Sequence, residues 1–198
     1  MRVIGGSARG RRLLAPRGRE TRPTPDRVRE ALFNILGDTV RKTLVLDLFA
    51  GTVALGIEAL SRGASAAVFV ESAAPTVGYI RRNLENLGFY EQSTVIKADS
   101  LAYLRKMALA SGSFDLIFAD PPYTMNTKFY RSLLGLVGRQ GILRPRGRLI
   151  LEHPTRGGAV EAPDGWVPVE RRRYGETAIT IFMPASDGPQ ERKVEPLE

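Results

Sequence analysis

The sequence predicts an α/β fold: a mostly parallel sheet with a C-terminal antiparallel hairpin, preceded by a small basic extension. Three observations predict it. Short apolar runs alternate with segments of helical spacing from residue 43 to residue 152, the pattern of βαβ units with right-handed crossovers. Two β-rich runs, 166–172 and 177–183, are separated only by Arg173-Tyr174-Gly175-Glu176 and read as a hairpin on the sheet edge. Charge is uneven: residues 1–42 hold eleven Lys and Arg against four Asp and Glu, a net of +7, and the other 156 residues a net of +1.

The first element, residues 3–14, mixes glycines and arginines between the apolar pairs Val3-Ile4 and Leu13-Leu14. It reads as a small β-hairpin or an arm, with Gly5-Gly6 or Arg9-Gly10 supplying turns. A Pro/Arg/Thr connection follows. A helix is then expected with Thr24 as N-cap, Pro25 in its first position and Asp26 in its first turn. Val28, Ala31, Leu32, Ile35 and Leu36 fall on one face, Arg22, Arg27 and Arg29 lie near the helix start, and Gly37 ends it. Residues 1–42 are thereby set apart as a basic arm and helix from a domain over 43–183. In that domain strands are expected over 43–48, 66–70, 94–96, 114–119 and 148–152. Helices are expected over 54–61, 73–87 (closed by Gly88), 100–110 and 127–137. The polar end, 184–198, reads as a disordered tail.

Composition narrows the function classes. A 43% hydrophobic content supports a core and argues against global disorder. No apolar run has membrane-spanning length, so no membrane partner is expected. The absence of cysteine excludes a disulfide framework, a thiol nucleophile and a Cys-ligated metal. The Arg- and Gly-rich start has no apolar core of a secretory signal, and a cytoplasmic location is expected. A basic segment this concentrated is the footprint of a phosphate-rich partner.

The chemistry centres on Phe114-Asp-Leu-Ile-Phe-Ala-Asp-Pro-Pro-Tyr123. An almost wholly apolar run, as in a strand buried on both faces, stops at two prolines that stiffen the corner. The corner offers a carboxylate, backbone carbonyls and an aromatic face at a strand's carboxyl end, where open α/β sheets bind ligands. That suits a flat base with an exocyclic amine. Earlier, Leu44-Val-Leu-Asp47-Leu-Phe-Ala-Gly51 is a strand running into a glycine-containing loop and a helix, a cradle for a ligand. It is neither the dinucleotide fingerprint nor a Walker loop. Glu71 lies about 20 residues on, at the spacing of a ribose-binding acid, and Asp99 ends the next strand, where it would accept from an adenine amine.

Asp47, Glu71, Asp99 and Asp120, each at a strand end and in this order, resemble the class I S-adenosylmethionine-dependent methyltransferases with their Rossmann-like sheet. The fuller set resembles the RsmD family, which methylates the N2 amine of one guanine in 16S ribosomal RNA. The match runs from residue 2 to about residue 183. It includes Ile4-Gly-Gly with Arg9-Gly10, Arg22-Pro-Thr-x-Asp-Arg-Val-Arg-Glu-Ala-Leu-Phe-Asn34, Leu55-Gly-x-Glu-Ala-Leu-Ser-Arg-Gly63 and Tyr174-Gly-x-Thr177.

The resemblance implies S-adenosylmethionine held by Asp47, Phe49, Ala50, Gly51, Thr52, Glu71, Ser72, Asp99 and Ser100. It implies catalysis at Asp120, Pro121, Pro122 and Tyr123, and an RNA backbone held by Arg9, Arg11, Arg12, Arg22 and Arg27. The implied partner is the small ribosomal subunit; no metal is expected, and a monomer is. One departure stands out: the family's loop carries a second glycine where this chain has Val53. Val53 either narrows the pocket at ordinary φ or weakens cofactor binding, by about 1–3 kcal/mol or roughly 5- to 150-fold. Two other readings stay open: an N6-adenine DNA methyltransferase, and an RNA-binding ribosome-assembly factor impaired at Val53. His153, Trp166 and Tyr174 read as structural.

Overall fold

The computed structural model describes residues 1–15, 25–51, 54–107, 114–139, 141–156 and 160–186. Seven strands among them form one sheet: β1 (Leu44–Asp47), β2 (Ala66–Glu71), β3 (Ser93–Lys97), β4 (Phe114–Ala119), β5 (Leu143–Pro154), β6 (Trp166–Tyr174) and β7 (Thr177–Pro184). Their order is β3-β2-β1-β4-β5-β7-β6. The first five are parallel neighbours, while β7 runs antiparallel to β5 and β6 antiparallel to β7. The fold is the expected Rossmann-like sheet with its hairpin on the edge. The α-helices are α1 (Asp26–Leu36), α2 (Ala54–Ser61), α3 (Ala74–Leu87), α4 (Ser100–Lys106) and α5 (Thr127–Arg139).

Successive side chains of a strand point to opposite faces, so each inner strand feeds two cores. Val45, Phe118, Ile150 and Ile181 pack with α1, α2 and α3 on one face. Leu46, Ile117, Leu149, Leu151 and Phe182 pack with α4 and α5 on the other. Val3, Ala8 and Leu13 of the N-terminal segment join the first core. That segment is a hairpin-like loop in which Arg2 bridges Arg12, Val3 N–H donates to Arg11 O at 3.0 Å and Leu13 N–H to Met1 O at 3.0 Å.

Several boundaries differ from expectation. Pro25 is the N-cap of α1 rather than its first residue, and Asp26 opens the helix; Thr24 and Arg22 lie outside the described residues. The buried face of α1 is Val28, Arg29, Leu32, Phe33 and Leu36, with Phe33 in place of Ala31 and Ile35. Phe33 wins because its ring packs on Phe118 at 5.8 Å and carries the Arg62 guanidinium at 5.0 Å. α4 ends at Lys106, and 108–113 are outside the described residues. β5 begins five residues early, because Leu143 pairs with Phe114 and Arg148 with Leu116 across a bulge. Within that bulge Arg146 has φ 61°, and a Cβ on Gly147 would lie 2.6 Å from Leu143 Cγ. Of the expected tail, 187–198 lie outside the described residues.

Candidate active site

The carboxyl ends of β1 to β5 share one rim of the sheet. β1 sits between β2 and β4. The chain leaves β1 for the α1–α3 face and β4 for the α4–α5 face, so a crevice opens at this topological switch point. Leu48 N–H still bonds β4, to Phe118 O at 3.0 Å, while Ala50 N–H bonds β2, to Val70 O at 3.0 Å. The segment after β1 therefore straddles the crevice.

Two carboxylates hold its shape. Asp47 is 2% exposed, and its Oδ2 accepts from Gly56 N–H of α2 at 3.0 Å. Gly56 has no room for a side chain, since a Cβ would lie 2.3 Å from the Phe69 ring. Glu71 Oε2 accepts from Gly51 N–H at 3.0 Å, and its Oε1 accepts from Ala73 N–H at 2.7 Å and from the Ser72 hydroxyl at 3.4 Å. Gly51 has φ 35°, a left-handed value that suits glycine. Phe49, half-buried, meets Phe129 of α5 edge-on at 5.9 Å. Thr52 and Val53 lie outside the described residues.

Asp99 caps α4, with Oδ1 accepting from Ala102 N–H at 2.9 Å. Ser100 is buried, and its hydroxyl donates to Leu48 O, which ties α4 to the loop after β1. The geometry gives Ser100 a supporting position beneath the loop.

Burial pushes the Asp47 carboxyl up from 3.8 to about 7, against the pull of its bonds from Gly56 and Phe49. The folded chain thus binds this proton more tightly than the unfolded chain does. Asp47's contribution to stability is full below pH 4 and is lost as pH rises from about 4 to about 7, a loss of about 4 kcal/mol. Asp47→Asn removes that loss while its amide oxygen still accepts from Gly56. Urea unfolding is expected to show the variant gaining on the parent between about pH 4 and pH 7. A stability difference that stays constant over that range would refute the account.

The second half of the site is the corner after β4. Asp120 is half-buried, Pro121 buried, and Pro122 and Tyr123 exposed. Pro122 O accepts from Met125 N–H at 3.0 Å, closing a turn into α5. Tyr123 donates its hydroxyl to Glu152 Oε1 at 3.2 Å and shares a 2.5 Å hydrogen bond with Thr177 Oγ1. Burial pushes this phenol up to about 12, so it stays protonated at neutral pH. Tyr130 of α5 is buried, feels the charge of Asp120, and its hydroxyl has no hydrogen-bond partner among the described residues. His153 is buried and its pKa lowered by desolvation, with its ring nitrogens 3.0 Å from Thr180 Oγ1 and 3.1 Å from Pro154 O. Trp166 donates Nε1–H to Leu134 O at 3.1 Å. No group of three or more His, Asp or Glu suited to a metal occurs among the described residues.

Glu152, Thr177 and Tyr130 are additions to the site foreseen from sequence. The signal for Glu152 is strand register: Ala119 pairs with Leu151, which sets Glu152 level with Asp120.

Known proteins share this architecture. The yhhF protein of Escherichia coli superposes with a TM-score of 0.80 at 30% identity, covering 93% of this chain and 97% of its own. "Ribosomal RNA small subunit methyltransferase D" of Haemophilus influenzae is 32% identical over 92% of this chain and 93% of its own length. Its namesake in E. coli K12 is 30% identical over 95% and 92%. The family model described as "Conserved hypothetical protein 95", the RsmD family, matches residues 1–183. The chain belongs to this family.

Two of the motifs that link the chain to RsmD proteins form a single contact here. Glu58 of α2, 1% exposed, accepts from Ile4 N–H and Gly5 N–H, both at 2.8 Å, and from Arg62 Nε at 2.8 Å. Ser61 Oγ accepts from Ala8 N–H at 2.9 Å and donates to Gly5 O at 2.6 Å. Gly6 has φ 78°, and a Cβ there would lie 1.8 Å from Ser61 O. Ile4-Gly-Gly and Leu55–Gly63 are thus the two sides of one latch. Leu14 and Asn83 of α3 exchange two hydrogen bonds of 2.8 Å, and Arg29, fully buried, joins Arg2 O at 2.7 Å to Asp26 at 2.9 Å. Arg9, Arg11, Arg12 and Arg27 are exposed, with Arg11 also bonded to Asn86 O at 2.6 Å.

Proposed function

We propose that this chain transfers a methyl group from S-adenosylmethionine to the N2 amine of a guanine in small-subunit ribosomal RNA. The observation that carries the reading is the Asp120–Tyr123 corner, set across the switch-point crevice from the loop after β1 in a chain of this family. The residues present fit the cofactor: Glu71 offers carboxylate oxygens for ribose hydroxyls, Asp99 an oxygen for an adenine amine, and the Phe49–Gly51 segment a close backbone approach. When bound, the cofactor supplies an electrophilic methyl on sulfonium.

The chain's own residues prepare the acceptor. A guanine N2 is weakly nucleophilic because its lone pair is delocalised into the ring. Asp120 and the Pro121 carbonyl accept its two hydrogens, draw the lone pair back onto nitrogen and aim it into the crevice. As the new C–N bond forms, Asp120 takes the proton the amine loses. Tyr123 stacks on the base, which must leave its own stack to enter. Residues 1–42 serve as the RNA-binding extension of a methyl-transfer domain over 43–183. There Arg9, Arg11, Arg12 and Arg27, with Arg22, hold RNA phosphates in a salt-dependent way.

Calorimetric titration with S-adenosylmethionine and S-adenosylhomocysteine comes first, followed by methyl transfer to 16S RNA, to small subunits and to adenine-containing DNA. Micromolar cofactor binding and a methylguanine product in RNA are expected. Transfer to DNA adenine would overturn the substrate assignment. Absent cofactor binding that Val53→Gly restores would favour an assembly factor.

A further inference from the structure

We propose that Glu152 and Thr177 are positioning residues that hold the Tyr123 hydroxyl and so fix its ring as a ready-made stacking wall for the target purine. The inference rests on the function proposed above and deepens it. Tyr123 is 37% exposed, and an aromatic side chain that open is ordinarily free to change rotamer. Here it is fixed at both ends. Its backbone follows two prolines whose φ angles are locked, and the turn from Pro122 O to Met125 N–H closes behind it.

Its hydroxyl is held from two different strands. Glu152, 5% exposed on β5, accepts from the phenol O–H; Thr177, 5% exposed, opens β7 and donates to the phenol oxygen. Thr177 is delivered by the two-residue turn Gly175-Glu176, in which Gly175 has φ 62°. The Tyr174-Gly-x-Thr177 motif thereby sets the second tether in place.

A carboxylate this buried is costly for stability alone, and it stands one residue beyond the Ala119–Leu151 pair, level with Asp120 just past the end of β4. A ring already ordered meets an incoming base without the entropy loss that a mobile ring would incur. The tether acts through Tyr123, so its removal changes turnover rather than cofactor affinity.

The test is a double-mutant cycle on the full chain, read as kcat and KM for RNA, with cofactor Kd and Tm measured in parallel. Tyr123→Phe keeps the ring and removes the tether; kcat is expected to fall about tenfold, with cofactor Kd unchanged. Glu152→Ala is expected to match it, and the double variant to be no slower than the worse single. Glu152→Gln, which still accepts from the phenol, is expected to stay within about threefold of the parent. Should Glu152→Ala fold poorly, Thr177→Val gives the same reading, with kcat lowered severalfold at near-parental Tm. Additive losses in the cycle, or unchanged kcat in Tyr123→Phe or Thr177→Val, overturn the tether alone. A parent protein that methylates no guanine-containing RNA overturns the proposed function and the tether with it.

Discussion

Asp120→Ala is expected to lower methyl transfer by on the order of 1,000-fold or more, about 4 kcal/mol at the transition state. S-adenosylmethionine and RNA affinity should remain within about threefold of the parent. The reason lies in where the residue sits. Asp120 follows β4 on the far side of the crevice from Gly51 and Glu71, so its loss removes the proposed acceptor of the amine hydrogens and leaves the proposed cofactor cradle whole. Asp120→Asn separates the two duties. Its amide oxygen still accepts one hydrogen, but it cannot take the proton, and turnover should fall between the parent and Asp120→Ala. Single-turnover transfer with radiolabelled cofactor reads both variants. Normal turnover by Asp120→Ala would remove Asp120 from the mechanism.

Glu58→Ala carries the largest expected loss of stability. It deletes a buried carboxylate that accepts two backbone amides of the arm and the Arg62 guanidinium. Two amides and a charge lose their partner together, at a cost of about 3 kcal/mol. For a domain of this size that lowers Tm by roughly 10 °C. Glu58→Gln keeps one acceptor oxygen and should lose about a third as much. Because the arm carries Arg9, Arg11 and Arg12, unlatching it should also weaken RNA binding and flatten its salt dependence. Calorimetry and a salt series of binding isotherms would check this; a parental Tm for Glu58→Ala would contradict the latch.

Much of this molecule is legible in the chain itself. Helical and strand periodicities are local properties, so β4 and α2 fall on their expected residues, and Gly88, φ 75°, caps α3 as expected. The acids at strand ends are equally local, because a strand's carboxyl end in a parallel sheet lies by topology on the ligand-binding rim. The misses are of another kind. Arg29 has the spacing of an exposed basic residue, yet it is buried because Arg2 O, 27 residues away, and Asp26 converge on it. β5 extends back through Arg144-Pro-Arg-Gly147, ahead of the expected strand 148–152, because Phe114 pairs with Leu143.

The sequence by itself determined the mostly parallel sheet with its hairpin, the Asp-Pro-Pro-Tyr corner and the family, the first two from local patterns and the last from motifs spread along the chain. The strand order that makes the switch point came from the structure. Only the tertiary structure decided what Glu58, Ser61, Glu152 and Thr177 do. Apart from Arg62, one helical turn from Glu58, their partners lie between 29 and 56 residues away. A buried polar side chain is worth keeping only where folding brings it a partner, and no local pattern names a partner that distant.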